Sequence, residues 1–202
     1  IGTCLVGSEM CIRDRLVAGQ IPAWASSVFA GAKLIALQKP SGGVRPIALT
    51  ESIRRLASKS ICLKHKEHFG ELVGPHQYGV GVSSGIEKAV GYSRFCWRKS
   101  GSEVMLQIDA KNAFNCVHRS AFFEALKTSD NPVLTSITSY ISQMYGDHSV
   151  LHNNLGDPIL AQRGVAQGDN LSPFLFALAI KPVLTSIAEL GVDIISFLDD
   201  IT

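Results

Sequence analysis

Residues 194–200 read Ile194-Ile195-Ser196-Phe197-Leu198-Asp199-Asp200, a mainly apolar run that ends in two neighbouring carboxylates. A second apolar run, Val104-Met105-Leu106-Gln107-Ile108, ends in Asp109. Short apolar runs of this kind are typical of strands that are covered on both faces, so we expect strands over residues 103–109 and 193–198. A carboxylate at the end of such a strand loses hydration, and this costs free energy unless a counter-charge compensates it.

The paired carboxylates indicate a divalent cation as the counter-charge. Like charges about 4 Å apart repel by roughly 4 kcal/mol at an effective dielectric constant near 20. No basic residue lies within two positions of Asp199, and oxygen ligands alone favour Mg²⁺ over zinc. Taken alone, Asp109 also fits a capping residue at a strand end, and the Asp199-Asp200 pair also fits a solvated turn. Neighbouring side chains on a strand face opposite sides, so we expect that Asp199 and Asp200 do not both point to a bound metal.

The remaining sequence patterns predict an α+β protein. Residues 33–49 read as a hairpin around the turn cluster at residues 40–43. Helical spacing in residues 52–68 places Ile53, Leu56, Ala57 and Ile61 on one face, with Arg54, Arg55, Lys59 and Lys66 around it. Further elements are expected as helices over residues 84–97, 119–127, 132–145 and 171–190, a glycine-rich loop over residues 70–83, and short strands near Val150 and Ile159.

Composition excludes several classes of protein. The chain has 202 residues with 46% hydrophobic and 18% charged residues, which excludes disorder as its main property. Its longest apolar helical stretch, residues 174–180, is far shorter than the roughly 20 residues of a membrane span, so we expect an intracellular protein without a membrane. Five scattered cysteines without a C-x-x-C pair indicate neither a disulfide framework nor a zinc site.

Charge is unevenly distributed along the chain. Residues 16–66 contain eight Lys or Arg and one acidic residue, whereas residues 67–202 contain nine basic and fourteen acidic residues. A basic segment joined to an acidic one fits a protein that holds phosphates with one part and divalent metal with the other. Solvated surface charge alone explains the same imbalance.

Six motifs resemble the successive motifs of reverse transcriptases, with the closest likeness to those of non-LTR retrotransposons. They occur in the order of the family: Lys39-Pro40-Ser41-Gly42-Gly43-Val44-Arg45-Pro46-Ile47, Arg54-Arg55-Leu56-Ala57-Ser58-Lys59, Gly74-Pro75-His76-Gln77-Tyr78-Gly79, Asp109-Ala110-Lys111-Asn112-Ala113-Phe114-Asn115, Gln167-Gly168-Asp169-Asn170-Leu171-Ser172-Pro173 and Phe197-Leu198-Asp199-Asp200. The resemblance implies a fragment of a polymerase right hand, α+β, with a small antiparallel sheet backed by helices. Fingers and their connection to the palm would occupy residues 16–102, and the palm would occupy residues 103–202.

The same resemblance implies roles for individual residues. Asp109, Asp199 and Asp200 would be the catalytic and metal-ligating carboxylates, and the backbone carbonyl of Ala110 would add a contact. Lys39 and Arg45 would contact the triphosphate, and Phe114 would be a steric gate that favours deoxynucleotides. Gln167 and Gly168 would contact template and incoming nucleotide, the glycine allowing close approach of backbone to substrate. For Phe114 a core position, and for Lys39 and Arg45 plain surface charge, are the alternatives.

The implied function is RNA-templated DNA synthesis, the transfer of a nucleotide to a primer 3′-end by two-metal catalysis. Its cofactors would be two Mg²⁺ ions, with Mn²⁺ as a possible substitute, and its partners an RNA template, a DNA primer and dNTPs. The compartment would be the nucleus or the cytoplasm. Two alternatives stay open: an inactive fragment or domesticated relative that only binds nucleic acid, and an RNA-dependent RNA polymerase.

A separate hypothesis concerns each end of the chain. Residues 5–15 resemble a translated sequencing adapter, which would make residues 1–15 an artefact, although a natural amphipathic lead-in also fits. At the other end, we expect no returning strand after Asp199-Asp200, so that the palm is truncated at the catalytic hairpin. With the thumb also absent, we expect the chain alone to be inactive.

Overall fold

The computed structural model describes residues 11–40, 42–99, 104–153 and 156–202. Most of the adapter-like segment lies outside these residues; its last residues belong to a helix over residues 11–17, α1. The other helices are α2 (Ala23–Ala30), α3 (Ser52–Lys64), α4 (Lys66–Val73), α5 (Gly85–Lys99), α6 (Ala113–Cys116), α7 (Arg119–Thr128), α8 (Pro132–Tyr145) and α9 (Ser172–Ala188). The strands are β1 (Ala32–Gln38), β2 (Val44–Thr50), β3 (Ile108–Asp109), β4 (Ser149–His152), β5 (Ile159–Ala161), β6 (Ser196–Phe197) and β7 (Asp200–Ile201).

The strands form two small sheets. In the four-stranded sheet the order is β2-β1-β4-β5, with β1 antiparallel to β2 and parallel to β4. In the three-stranded sheet β7 lies between β3 and β6 and is antiparallel to both. The predicted α+β class is therefore confirmed, and the larger sheet joins strands from both sides of the expected boundary at residue 103.

Helix α9 forms the centre of the core. Its residues 174–179 are all buried, because α4, α7 and the loop before it cover the helix on several sides. Phe174 stacks on Phe69 of α4 with ring centroids 3.7 Å apart. A helix that is apolar all round belongs in the interior, which explains the long apolar stretch of the sequence. No helix in the described part of the chain is both long and apolar enough to cross a membrane.

The predicted extents of two strands are wrong. Residue 103 lies outside the described residues; of residues 104–109 only Ile108–Asp109 forms a strand, and the apolar side chains before it are exposed, Val104 by 80% and Leu106 by 67%. They face an open cavity of about 520 Å³ whose other wall is α5 and residues 187–195. The run is exposed on this side because β3 has a single strand neighbour, β7, among the described residues.

The expected last strand, residues 193–198, is also different. The chain forms β6 over two residues, turns at Leu198 and Asp199, and returns as β7. The expectation that no returning strand follows the acidic pair is therefore wrong, since Asp200 itself begins that strand. The reason is that Leu198 adopts a left-handed conformation, with φ of 57°, which reverses the chain directly after β6.

Residues 52–73 also differ from the expectation. The expected single helix breaks at His65 into α3 and α4, and α4 continues to Val73 where a glycine-rich loop was expected. The buried face of α3 includes Arg54, at 1% exposure, whereas Leu56 is 50% exposed. The periodicity of apolar residues missed this because a charged side chain is placed in the core by a partner far away in sequence.

Asp169 is that partner. Nε of Arg54 donates a hydrogen bond to Oδ2 of Asp169 at 2.9 Å, and Nη2 lies 2.9 Å from the same oxygen. Nη1 donates to the carbonyl oxygens of Phe29 and Ala30 in α2. Burial alone would lower the pKa of the Arg54 guanidinium, but attraction to the oxygens of Tyr145 and Asp169 outweighs it and raises that pKa above its usual value. The guanidinium is thus charged, and it ties α3 to α2 and to the segment before α9.

We expect Arg54→Met to lower the free energy of unfolding by about 3–5 kcal/mol, because it leaves the Asp169 carboxylate buried without its counter-charge. Arg55→Met is the matched control, since Arg55 follows on the same helix and reaches only Ser52, over 3.4 Å. That variant should lose no more than about 1 kcal/mol. Urea denaturation followed by circular dichroism measures both, and equal losses in the two variants would contradict the role of the buried pair.

Candidate functional site

Both strand-end carboxylates of the sequence lie in one cavity. Asp109 and Asp199 line a cavity of about 440 Å³, which is bordered by loops next to the two sheets. Seven of the predicted site residues line it: Lys39, Arg45, Asp109, Ala110, Phe114, Gln167 and Asp199. Residues from four distant segments of the chain thus meet at one place.

The three-stranded sheet brings the carboxylates together. Asp109 at the end of β3 pairs in register with Asp200 of β7. Asp199 lies directly before Asp200, in the turn after β6. Asp200 is exposed and is not among the cavity-lining residues. The two neighbours differ because Asp199 lies in the turn, whereas Asp200 begins β7. None of the ion pairs between described residues involves these three carboxylates.

The segment after Asp109 folds back along the cavity. Asn112 adopts a left-handed conformation with φ of 54°, and the amide of Ala113 donates a hydrogen bond to the Ala110 carbonyl at 3.2 Å. The short helix α6 then places Phe114 at the cavity wall. Its ring stacks on Phe176 of α9, with centroids 4.7 Å apart and planes 12° apart. Phe114 is therefore half-buried against the core and also borders the cavity, and its role as a steric gate stays a prediction.

The hairpin of β1 and β2 supplies two of the basic side chains that line the cavity, Lys39 and Arg45. The amide of Lys39 donates to the Gly43 carbonyl at 3.0 Å, and the amide of Gly42 donates to the Lys39 carbonyl at 3.0 Å. These bonds close the turn and direct Lys39 and Arg45 to the cavity. Neither side chain forms an ion pair with another described residue, which leaves both charges available to an anion.

Gly168 is required for packing within the protein. Its φ is +145°, and a Cβ atom on it would lie 2.8 Å from the carbonyl oxygen of Ala48 in β2. The neighbouring carbonyl of Gln167 accepts a hydrogen bond from the Ala48 amide at 3.2 Å. The absence of a side chain thus allows a close approach of two backbone segments, and the approach of this backbone to substrate stays a prediction. Gly168 itself is not among the cavity-lining residues, whereas Gln167 is.

Several residues near the site were not singled out from the sequence. Lys111, Asn112 and Asn115 also line the cavity, and Asp169 and Gln77 are buried beside it. All five lie inside motifs that the resemblance had already delimited, so the motif boundaries were the available signal. Periodicity offered no signal, because a buried polar residue looks like a surface residue in a hydropathy pattern.

The described residues include no group of three or more His, Cys, Asp or Glu side chains arranged to hold a metal ion. What the cavity contains is a pair of carboxylates, Asp109 and Asp199, with carbonyl and amide oxygens around them. Oxygen ligands of this kind suit Mg²⁺, which binds through one or two carboxylates and takes its remaining ligands from water and substrate phosphates. The donor set therefore fits a magnesium ion that is completed by a bound nucleotide.

Comparison with known proteins agrees with this geometry. Residues 37–202 match the family model described as "Reverse transcriptase (RNA-dependent DNA polymerase)". The "Transposon TX1 uncharacterized 149 kDa protein" of Xenopus laevis is 28% identical over 148 residues, which are 69% of this chain and 11% of that protein. The chain thus spans about a tenth of the length of this relative.

Two solved structures of telomerase from Candida tropicalis have a similar fold. One is the apo enzyme truncated from its C-terminal domain, with a TM-score of 0.54 and 14% identity over 86% of this chain and 43% of that chain. The other is a complex with a fragment of telomeric RNA, with a TM-score of 0.53 and 15% identity over 86% of this chain and 35% of that chain. These likenesses concern the fold alone.

The chain belongs to the reverse transcriptase family, since the family model covers well over half of it. The transposon relative agrees with the expected likeness to retrotransposons. The predicted right-hand polymerase fold is confirmed by the telomerase neighbours.

Proposed function

We propose that this chain carries the catalytic centre of a retroelement polymerase that synthesises DNA on an RNA template. The observation that carries the proposal is the single cavity that gathers Asp109, Asp199, Phe114 and two basic side chains. A nucleotidyl transfer needs acidic groups for cations, basic groups for the triphosphate and a wall beside the sugar. This cavity has all three kinds of group.

Lys39 and Arg45 would bind the triphosphate of the incoming nucleotide. Lys39 follows β1 and Arg45 lies in β2, and both line the cavity that also contains the carboxylates. Arg45 can bind a phosphate through two parallel hydrogen bonds, whereas Lys39 acts as a point charge. We therefore infer that Arg45 orients the phosphate and that Lys39 adds attraction without fixing its direction.

Asp109 and Asp199 would hold divalent metal, with the Ala110 carbonyl as a further contact and Asp200 in a supporting position. When bound, two metal ions would lower the pKa of the primer 3′-hydroxyl and neutralise charge on the leaving pyrophosphate. Magnesium is the ion that oxygen ligands favour, with manganese as a substitute. Asp109 is positioned by the β3–β7 pairing, and Asp199 by the turn between β6 and β7.

Template, primer and dNTPs are the partners that this proposal requires. The uneven charge supports it, because residues 16–66 carry a balance of eight basic residues against one acidic residue and can attract phosphates. We further propose that residues 16–102 act as fingers and residues 103–202 as palm. Gln167, next to the carboxylates and the basic turn, would contact the template and the nucleotide.

We expect Asp109→Asn and Asp199→Asn each to reduce primer extension on an RNA template by at least about a hundredfold, because each removes a negative charge from the metal-binding pair. The assay uses the longest natural reading frame that contains residues 16–202, with a labelled DNA primer, dNTPs and Mg²⁺. Asp130→Asn is the matched control, since Asp130 is an exposed aspartate outside the cavity. Full activity in either site variant would refute the proposed roles, and loss of activity in the control would show that the assay measures general damage.

Phe114→Ala should raise the efficiency of ribonucleotide incorporation relative to deoxynucleotide incorporation on the order of tenfold, because space for a 2′-hydroxyl opens beside the sugar. The measurement is the ratio of kcat/KM for a ribonucleotide and its deoxynucleotide. Phe123→Ala is the control, since Phe123 packs against the same core from α7 but does not line the cavity. Unchanged sugar selectivity in Phe114→Ala would assign this ring to the core alone.

A further inference from the structure

Gln77 is a buried polar residue without a role in the proposed chemistry. It is 1% exposed and lies in the loop between α4 and α5. The backbone around it pairs with β6, because the amide of Tyr78 donates to the Ser196 carbonyl at 2.7 Å and the amide of Ser196 donates to the His76 carbonyl at 2.8 Å. Gln77 therefore stands directly beside the strand that leads to the Asp199 turn.

Both Oε1 and Nε2 of Gln77 form hydrogen bonds with that turn and with residues around it. Oε1 accepts hydrogen bonds from the backbone amides of Leu198 at 2.7 Å and Gly79 at 2.9 Å. Nε2 donates to Oγ of Ser196 at 2.9 Å and lies 3.3 Å from the carbonyl of Leu198, to which it also donates. One side chain thus binds both the N–H and the C=O of Leu198, the residue that precedes Asp199.

Leu198 needs this support because its backbone is in an unfavourable conformation. Its φ is 57°, in the left-handed region that a leucine rarely adopts. Oγ of Ser196 also donates to the Leu198 carbonyl, at 2.8 Å, and a Cβ atom on Gly79 would lie 2.7 Å from Cγ of Leu198. The loop around Gln77 therefore holds the Leu198 backbone by hydrogen bonds and leaves space for its side chain.

We propose that Gln77 is a positioning residue for Asp199, acting by fixing the Leu198 backbone between β6 and β7. The expected effect on catalysis rests on the proposed function, whereas the expected effect on the turn does not. Glutamine is the residue that fits, since the turn presents two N–H donors to one end of the side chain and two oxygens to the other. A glutamate would have no hydrogen to donate to the Leu198 carbonyl.

The test compares Gln77→Met with Gln143→Met in the longest natural reading frame that contains residues 16–202. Methionine has similar length and removes the amide hydrogen bonds. Gln143 is the matched control because its Nε2 donates to the Ile21 carbonyl at 2.9 Å, in a part of the core that does not line the cavity. Two properties are measured: hydrogen exchange of the segment that contains the Leu198 amide, and kcat and KM for dNTP in primer extension.

We expect exchange at the Leu198 amide to accelerate about tenfold or more in Gln77→Met and to stay unchanged in Gln143→Met, since only the first variant removes its acceptor. We also expect kcat to fall about tenfold or more with KM for dNTP within about twofold, because the binding residues on the β1–β2 turn are untouched. Gln77→Asn, which keeps the amide but shortens the side chain, should recover part of the protection.

The outcomes separate this inference from the proposed function. Unchanged exchange at Leu198 in Gln77→Met would overturn the inference whatever the activity is. Accelerated exchange with unchanged kcat would also overturn it, because the turn would then be loosened without effect on Asp199. If the unmodified protein extends no primer while the exchange difference is present, the proposed function fails and the fixing of the turn by Gln77 is supported.

Discussion

The pairing of β7 between β3 and β6 is the constraint on which the site depends. Asp109 and Asp199 are ninety residues apart in sequence, and they line one cavity because β7 binds the ends of both segments. The sheet is short, so few backbone hydrogen bonds hold this arrangement. Contacts from outside the sheet therefore contribute much to holding the two carboxylates in place. The main one is the side-chain amide of Gln77, which binds the turn at Leu198.

A second polar contact fixes the loop that carries Gln167, another residue of the cavity lining. Asp169 accepts hydrogen bonds from Arg54 and from the Leu171 amide that opens α9, and the hydroxyl of Tyr145 lies 3.3 Å from its carboxylate. Burial and the nearby Asp169 carboxylate raise the pKa of Tyr145, so its hydroxyl stays a donor. The loop before α9 is thus held from α3 and α8, and Gln167 on that loop meets β2 at Ala48. Polar groups in the interior thus hold both parts of the cavity lining, and a hydrogen bond broken there costs the most free energy.

Sequence alone predicted much of this arrangement. The β1–β2 hairpin and helix α8 were predicted from turn residues and apolar spacing, since local preferences and packing agree there. The site residues were predicted from ordered motifs, and the cavity contains seven of them. The errors occur where distant contacts decide: Arg54 is buried because Asp169 reaches it, and residues 104–107 stay exposed because β3 has one neighbour among the described strands. The β6–β7 turn was missed because Leu198 takes a conformation that its residue type disfavours.

The most direct test of the central claim is anomalous diffraction from crystals of the domain grown with Mn²⁺, a dNTP and a primer–template duplex. If Asp109 and Asp199 form one cation site, a manganese peak lies in their shared cavity within ligand distance of both carboxylates. A structure in which the two carboxylates face separate cavities, or in which manganese binds the nucleotide without touching either of them, would contradict the account.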